Sequence, residues 1–198
     1  MFRWLKKAKQ SSVPRPPRTL PIDAALFEKE GSSLYQALST HWASSDPKTY
    51  AQTYAPRAEG ADVEALEERY SLQLPEDFRS YLLSAAPSVT FMDDIGTQWW
   101  APNEIKSIPD ECPDGPPGQI NLEIEREKDA YLVFADYLIW CYAWAICCSN
   151  GPNRGKIALL GGLPDRFVAD NFRDFLLLEL TDDLAIHQGP SKQTVANH

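Results

Sequence analysis

The chain has 198 residues, of which 43% are hydrophobic and 24% are charged. This composition excludes fibrous, collagenous and wholly disordered proteins, and it supplies the core of one domain with an extension or of two small domains. The formal net charge of −9 argues against general affinity for the phosphate backbone of nucleic acids, and it favours a basic partner.

Charge is unevenly distributed along the chain. Residues 1–20 contain six basic residues and no acidic one, so they carry +6 and the remaining residues carry −15. Prolines disfavour helix and strand in the second half of this segment, so residues 1–21 are predicted to form a basic, proline-rich tail and linker. Two interpretations of residues 2–9 stay open: a solvated tail, which we favour, or a short amphipathic anchor at a membrane surface.

The cysteines and the apolar segments indicate the compartment. Four cysteines are too few and too clustered for the disulfide framework of a small secreted domain. No apolar run of signal-peptide length follows the N-terminus. The longest apolar stretch, residues 131–148, is interrupted by Asp136 and rich in tyrosine, tryptophan and cysteine, which indicates buried strands rather than a membrane span. We therefore predict a cytoplasmic protein.

Helices are predicted to precede the sheet. Residues 22–58 are predicted to form a helical annex, with helices over residues 22–30 and 33–42 separated by a glycine-serine stop and cap signal. The rest of the annex fits helix or loop. The main domain, residues 59–184, opens with two further helices, the first capped by Asp62 and amphipathic.

The second helix of the main domain begins near Pro75, at the position where proline suits a helix best. Residues 98–100 are then predicted to form a short strand, and residues 102–108 a single short helix. A loop rich in proline and glycine follows, and acidic residues surround the apolar Leu122 and Ile124.

From residue 131 the apolar pattern changes to a period of two. Its β-branched and aromatic residues predict strands over YLVF, LIW and YAWAICC. In the last strand Ala143, Ala145 and Cys147 share one face, and we expect a helix to pack on these small side chains. KIALLGG and RFVA predict two more strands.

The C-terminal part completes the predicted fold. Asp170 is the predicted cap of a final helix over residues 172–180, and residues 185–198 are predicted to form a tail. Helices first, strands next and a closing helix make an α+β fold with a mostly antiparallel central sheet and the C-terminal helix on one sheet face.

The order of four motifs carries a family resemblance. VEALEERY is followed by LQLPEDFRSYL, and further along GPNRGKIALLGG is followed by VADNFRDFLLLEL. These motifs resemble the opening helix pair, with its Leu-Pro junction, and the closing strands and helix of the SUKH superfamily, which includes fungal cell-wall synthesis regulators and bacterial immunity proteins. The resemblance covers residues 60–182 and implies a SUKH-like domain that binds another protein. FADYLIWCYAWAICC departs from the family, whose members often carry glycine there, so no partner contacts are transferred to it.

The titratable residues predict no catalytic, metal or cofactor site. None of the three histidines stands in a motif that would activate a cysteine. Adjacent Cys147 and Cys148 point to opposite faces of a strand, which does not suit zinc, and the paired glycines lack the lysine-serine sequel of a phosphate-binding loop. We therefore predict that the chain is not an enzyme. A hydrolase using the carboxylates of EIEREKDA and FMDD is the less favoured alternative.

Acidic and aromatic residues supply a candidate partner-binding surface. Carboxylates favour a basic partner, and aromatic anchors supply binding energy. The predicted surface consists of Asp93, Asp94, Trp99, Trp100, Glu123, Glu125, Glu127 and Asp129. The alternative is that the tryptophans belong partly to the core and the acids only solubilise the protein.

Together with the resemblance, this surface implies an immunity protein that neutralises a cognate bacterial toxin by direct contact. The expected partner is a basic protein, for example a nuclease toxin, because nucleases bind phosphate with basic residues. The alternative is a regulatory or scaffolding member of the family, in which the basic tail and the annex engage another partner.

Overall fold

The computed structural model describes residues 25, 28–29, 31–44, 46–117, 121–162, 164–181, 183 and 185–188. The basic tail of residues 1–21 lies outside the described residues, and so does most of the predicted helix at residues 22–30. Within the described part of the chain, no helix has the length and apolar character needed to cross a membrane.

The annex is helical over most of its described length. Helix α1 (Gly31–Ala43) covers the predicted second annex helix and buries one face. Helix α2 (Pro47–Thr49) follows, capped by the carboxylate of Asp46, and a π-helical turn (Tyr50–Tyr54) completes the annex. The segment that fitted helix or loop is therefore mostly helix.

Helices α3 (Gly60–Tyr70) and α4 (Glu76–Ser84) form the predicted pair at the start of the main domain. Glu59 occupies the cap position of α3, and its backbone N–H donates to the Asp62 carboxylate at 2.8 Å, so Asp62 lies inside the helix rather than at its cap. Helix α1 packs against α4, where the rings of Tyr35 and Tyr81 meet at 6.0 Å. The annex and the main domain thus share one core.

Seven strands within the described residues form one antiparallel sheet. They are β1 (Phe91–Met92), β2 (Thr97–Trp99), β3 (Lys106–Ser107), β4 (Tyr131–Tyr137), β5 (Tyr142–Cys147), β6 (Ile157–Leu160) and β7 (Arg166–Ala169). The sheet order is β1-β2-β4-β5-β6-β7, and β3 pairs with β4. The α+β class predicted from the sequence is confirmed.

Helix α7 (Phe172–Leu180) covers the sheet face that carries Trp144. The ring of Phe175 meets Trp144 at 5.4 Å and Phe134 at 5.2 Å. The prediction that a helix packs on the small side chains of Ala143 and Ala145 is wrong for α7, because the large rings of the opposite face interlock with those of the helix and bury more apolar surface.

The predicted positions of one short helix and of one helix cap are also wrong. Residues 102–104 form a turn, and the short helix of this region is α5 (Ile108–Glu111), which is capped by Ser107. Helix α6 (Leu122–Arg126) follows the loop. Helix α7 is capped by Asn171 instead of Asp170, because the Asn171 side chain accepts from the Asp174 backbone N–H at 2.8 Å.

The start of the predicted C-terminal tail belongs to the core. Helix α8 (Ala185–Gln188) places Ile186 in a fully buried position. Nε1 of Trp144 donates to the Ile186 carbonyl at 3.2 Å, and the Tyr142 hydroxyl lies 2.7 Å from Nδ1 of His187. Residues 185–188 therefore extend the domain, while residues 189–198 lie outside the described residues.

Candidate partner-binding surface

The predicted acidic residues lie at opposite ends of β4. Asp93 and Asp94 belong to the β1–β2 turn, which contacts the end of β4, whereas the other acidic residues immediately precede its start. The seven residues of β4 span about 20 Å. The eight predicted residues therefore do not form one continuous surface.

Both predicted aromatic anchors are core residues. Trp99 is 1% exposed and Trp100 is 6% exposed. Trp99 packs on Trp42 of the annex at 4.9 Å and donates its indole N–H to Asp93 Oδ2 at 3.1 Å. The indole N–H of Trp100 donates to Asp136 Oδ2 at 2.7 Å. The prediction that these tryptophans are exposed anchors is thus wrong. Trp42 of the annex covers Trp99, and the buried Asp136 carboxylate holds Trp100.

The acidic group before β4 is partly engaged within the protein. Glu125 accepts from Nζ of Lys128 at 2.6 Å, and Glu127 accepts from the Ser149 hydroxyl at 3.2 Å. Glu123 and Asp129 are exposed and line no described cavity. The surface before β4 is therefore acidic, and Leu122 on α6 is the exposed apolar residue that we identify beside these carboxylates.

The turn between β4 and β5 has an unusual backbone. Residues 138–140, predicted as a strand, form this turn, with φ values of 46° at Leu138, 57° at Ile139 and 66° at Trp140. Positive φ brings Cβ close to the backbone in any residue other than glycine, and a β-branched residue such as isoleucine is disfavoured most. Three such residues in succession store conformational energy in the turn.

A buried carboxylate holds this turn in place. Asp136 is 1% exposed, and its Oδ1 accepts from the Trp140 backbone N–H at 2.8 Å while its Oδ2 accepts from Trp100. The Trp140 indole N–H donates to Glu111 Oε1 at 2.8 Å, and Lys106 Nζ donates to the other oxygen of Glu111 at 2.9 Å. The turn is therefore fixed by the interior of the protein.

The β4–β5 turn and the β1–β2 turn contact each other. The Leu138 backbone N–H donates to the Gly96 carbonyl at 3.0 Å, and a Cβ on Gly96 would lie only 2.7 Å from Cδ2 of Leu138. Ile139 at the tip is 81% exposed, and its chain neighbour Leu138 and Met92 at the end of β1 are also exposed. We name residues 92–96 and 138–141 the paired-turn surface.

An acidic cleft borders the tip of the paired-turn surface. This cleft, of about 240 Å³, lies beside Ile139 and Trp140. Its charged lining consists of Glu104, Glu111, Asp136 and Lys106. Three carboxylates and one ammonium group make the cleft net negative, so the exposed isoleucine stands next to a surface that attracts positive charge.

Two thiols inside the fold, those of Cys112 and Cys148, are not activated at neutral pH. Burial, with a smaller contribution from nearby Glu111, raises the pKa of Cys112 to about 11. Burial likewise raises the pKa of Cys148 well above its usual range. Since only a thiolate acts as a nucleophile or metal ligand, these two groups stay inert near pH 7. The described residues also contain no group of three histidine, cysteine or acidic side chains suited to a metal ion.

No protein-family model matches the sequence, and no curated protein matches it either. The candidate site is therefore defined by geometry: an apolar tip on a strained turn, a second turn carrying Asp94, and an acidic cleft behind them. These features are typical of a protein-binding surface rather than a small-molecule site.

Sequence reasoning missed the β4–β5 turn because three apolar residues after an apolar strand continue its pattern. The signal that marks the turn is Asp136, the one charged residue of that apolar stretch. A buried carboxylate needs hydrogen-bond donors close by, and a backbone N–H a few residues ahead supplies one only if the chain reverses there.

Proposed function

We propose that this chain is a SUKH-type immunity protein that binds a basic bacterial toxin through the paired-turn surface and neutralises it by direct contact. The observation that carries the proposal is the turn at residues 138–140, which holds Ile139 exposed at a conformational cost that a simple connection would avoid. Such strain is retained where the surrounding structure serves a function.

The chemistry of the surface supports a protein partner. A rigid apolar tip loses little conformational freedom on binding, so more of its burial energy contributes to affinity. The carboxylates of the neighbouring cleft favour a basic surface and accelerate encounter with it. The net charge of −9 also attracts a basic partner, and it does so over longer distances.

The motif order and the cysteines support the rest of the proposal. The four motifs fall on α3, α4, the β5–β6 turn with β6, and α7, in the order that the resemblance implies. All four cysteines are free thiols, as a reducing cytoplasm favours. Hydrolysis by the carboxylates of EIEREKDA and FMDD stays the less favoured alternative.

Co-expression with the product of an adjacent toxin-like reading frame tests this function. We expect the chain to protect the cells and to co-purify with the toxin. Ile139→Ser should weaken the complex about tenfold or more, as truncation of a central apolar anchor does. Leu122→Ser is the matched control, because Leu122 is 68% exposed on α6 at the far end of β4 and should not affect binding.

Two results would contradict the proposal. Failure both to protect and to co-purify would exclude toxin neutralisation and favour a regulatory or scaffolding role with another partner. Equal weakening by Ile139→Ser and Leu122→Ser would remove the paired-turn surface from the interface.

A further inference from the structure

A cavity of about 190 Å³ lies between the annex and the β1–β2 turn. Its walls are aromatic. The ring of Phe91 on β1 meets Trp42 and Tyr54 at 5.3 Å each and Tyr50 at 6.2 Å. Phe91 and Tyr54 are only half-buried, so part of each ring remains accessible beside the cavity.

The π-helical turn places two of these walls. Tyr50 and Tyr54 stand at its two ends, with ring centroids 6.3 Å apart. The Tyr50 hydroxyl lies 3.2 Å from the Ser39 hydroxyl on α1, and the Tyr54 carbonyl accepts from the Ser88 N–H at 3.1 Å. The aromatic walls are therefore fixed before any ligand binds, and π-helical turns of this kind occur frequently at functional sites.

Three carboxylates and the imidazole of His41 also line the cavity. Asp93 Oδ1 accepts from the Thr97 N–H at 2.9 Å, and its other oxygen accepts from Trp99, so this carboxylate is held in position. Asp46 Oδ1 accepts from the Thr49 N–H at 3.1 Å, and this bond lowers the pKa of Asp46 below its usual range. Asp94, the third, is exposed.

We propose that this cavity binds the guanidinium group of an arginine side chain presented by the partner protein. The inference rests on the proposed function in one respect, since the arginine belongs to the bound protein. A planar guanidinium both stacks on aromatic rings and pairs with carboxylates, which is the combination that this lining offers.

The size of the cavity and the lack of a metal-binding group among the described residues favour a single organic functional group as the ligand. Pockets for whole small-molecule ligands typically measure about 300–1,000 Å³, so this cavity suits one functional group. The described residues contain no group of three potential ligands that could hold a metal ion, so an organic cation fits the three carboxylates better. The cavity also borders the paired-turn surface through Met92 and Asp94, so one partner can occupy both.

Binding of a short capped peptide to the full chain tests the arginine site. The probe is acetyl-Gly-Arg-Gly-amide, and its neutral isostere acetyl-Gly-citrulline-Gly-amide is the reference. We expect the arginine peptide to shift the indole resonance of Trp42, and the citrulline peptide to leave it unchanged. Tyr54→Leu should weaken binding about two- to fivefold, as loss of a partly exposed cation–π contact implies.

A pair of matched double variants separates the cavity from general electrostatic attraction. The first, Asp46→Asn with Asp94→Asn, should weaken binding more than Tyr54→Leu does, and asparagine retains the capping role of Asp46. The second, Glu123→Gln with Asp129→Asn, changes the net charge equally at the far end of β4 and should leave binding unchanged.

Three outcomes overturn the assignment: an equal response to the citrulline peptide, an equal loss in the two double variants, or no response to the arginine peptide. If the toxin complex forms while the arginine peptide does not bind, only the arginine site is wrong. If the peptide binds as expected while the chain protects against no toxin, the arginine site is supported and the proposed function is wrong.

Discussion

Two hairpin turns at the same end of the sheet are each held by a buried aspartate, but they differ in the residues placed at positive φ. In the β4–β5 turn, Asp136 accepts from the Trp140 backbone N–H at 2.8 Å, and in the β6–β7 turn, Asp165 accepts from the Gly161 backbone N–H at 2.9 Å. Both carboxylates are buried. However, the β6–β7 turn places glycine where φ reaches 78°, whereas the β4–β5 turn places three residues other than glycine at positive φ.

This difference indicates that the β6–β7 turn only connects two strands, whereas the β4–β5 turn presents a binding residue. A chain reversal that only joins two strands uses glycine at positive φ, because glycine adopts that conformation without a steric cost. The β4–β5 turn forgoes glycine and exposes Ile139 instead. A sequence that follows the local rule in one turn and breaks it in the neighbouring one indicates that the second turn is retained for what it presents.

The largest expected effect comes from removing the carboxylate that holds the β4–β5 turn. Asp136→Ala leaves two donors, the buried Trp100 indole N–H and the partly buried Trp140 backbone N–H, without their acceptor. We expect the free energy of unfolding to fall by about 3 kcal/mol, measured by urea denaturation.

Asp136→Asn sharpens this prediction. It keeps the shape of the side chain but turns one acceptor oxygen into a donor that faces another donor, so we expect a smaller loss of about 1–2 kcal/mol. Wild-type stability in both variants would show that the turn does not depend on Asp136, and the comparison of the two turns would then fail.

The second expected effect is the pH dependence that Asp165 gives to the stability of the protein. Burial raises the pKa of Asp165 to about 6, from the ordinary value of 3.8. The folded state therefore binds a proton more tightly than the unfolded state does. The stability linked to this proton is fully present below about pH 4 and is lost as the pH rises through 6.

Urea denaturation of the wild type and of Asp165→Asn between pH 4 and pH 7.5 measures this effect. Asp165 should account for a fall of about 2 kcal/mol in the free energy of unfolding over that range. Asp165→Asn should lack this part of the pH dependence and be more stable than the wild type at pH 7. Parallel curves for the two proteins would show that Asp165 is not desolvated in the folded state.

Periodic patterns made most of the fold predictable. The pair α3 and α4, the strand β5 and the closing helix α7 all fall where apolar spacing placed them. Such patterns report which residues are buried but not which element buries them. The sequence therefore did not show that α7 would choose the Trp144 face, or that α8 would pack on the core.

The candidate site was less predictable, because it depends on contacts between distant segments. Trp99 is buried because the annex supplies Trp42, and the two groups of predicted acids are separated because β4 runs between them. Only Asp93 and Asp94 of the predicted surface lie at the paired turns. The exposed apolar tip at Ile139 is invisible in a sequence where its neighbours read as a strand.

The smallest expected effect tests the comparison of the two turns most directly. One substitution in each turn should change the free energy of unfolding, and the two changes should have opposite signs. Ile139→Asn replaces a β-branched residue at positive φ with one that tolerates this conformation, and the exposed side chain loses little packing. We expect the free energy of unfolding to rise by about 0.5–1 kcal/mol. Gly161→Ala places a residue with a Cβ at a similar positive φ, so we expect it to lower the free energy of unfolding by about 1 kcal/mol.

Thermal or urea unfolding measures both changes, and toxin binding measured on the same samples completes the test. Ile139→Asn should bind the partner about tenfold more weakly even though it is the more stable protein, since it lacks the apolar tip. Loss of stability in Ile139→Asn would mean that the isoleucine packs within its own chain. A variant that gains stability and loses its partner shows instead that the strain at residues 138–140 is maintained by selection for binding, because folding alone favours its removal.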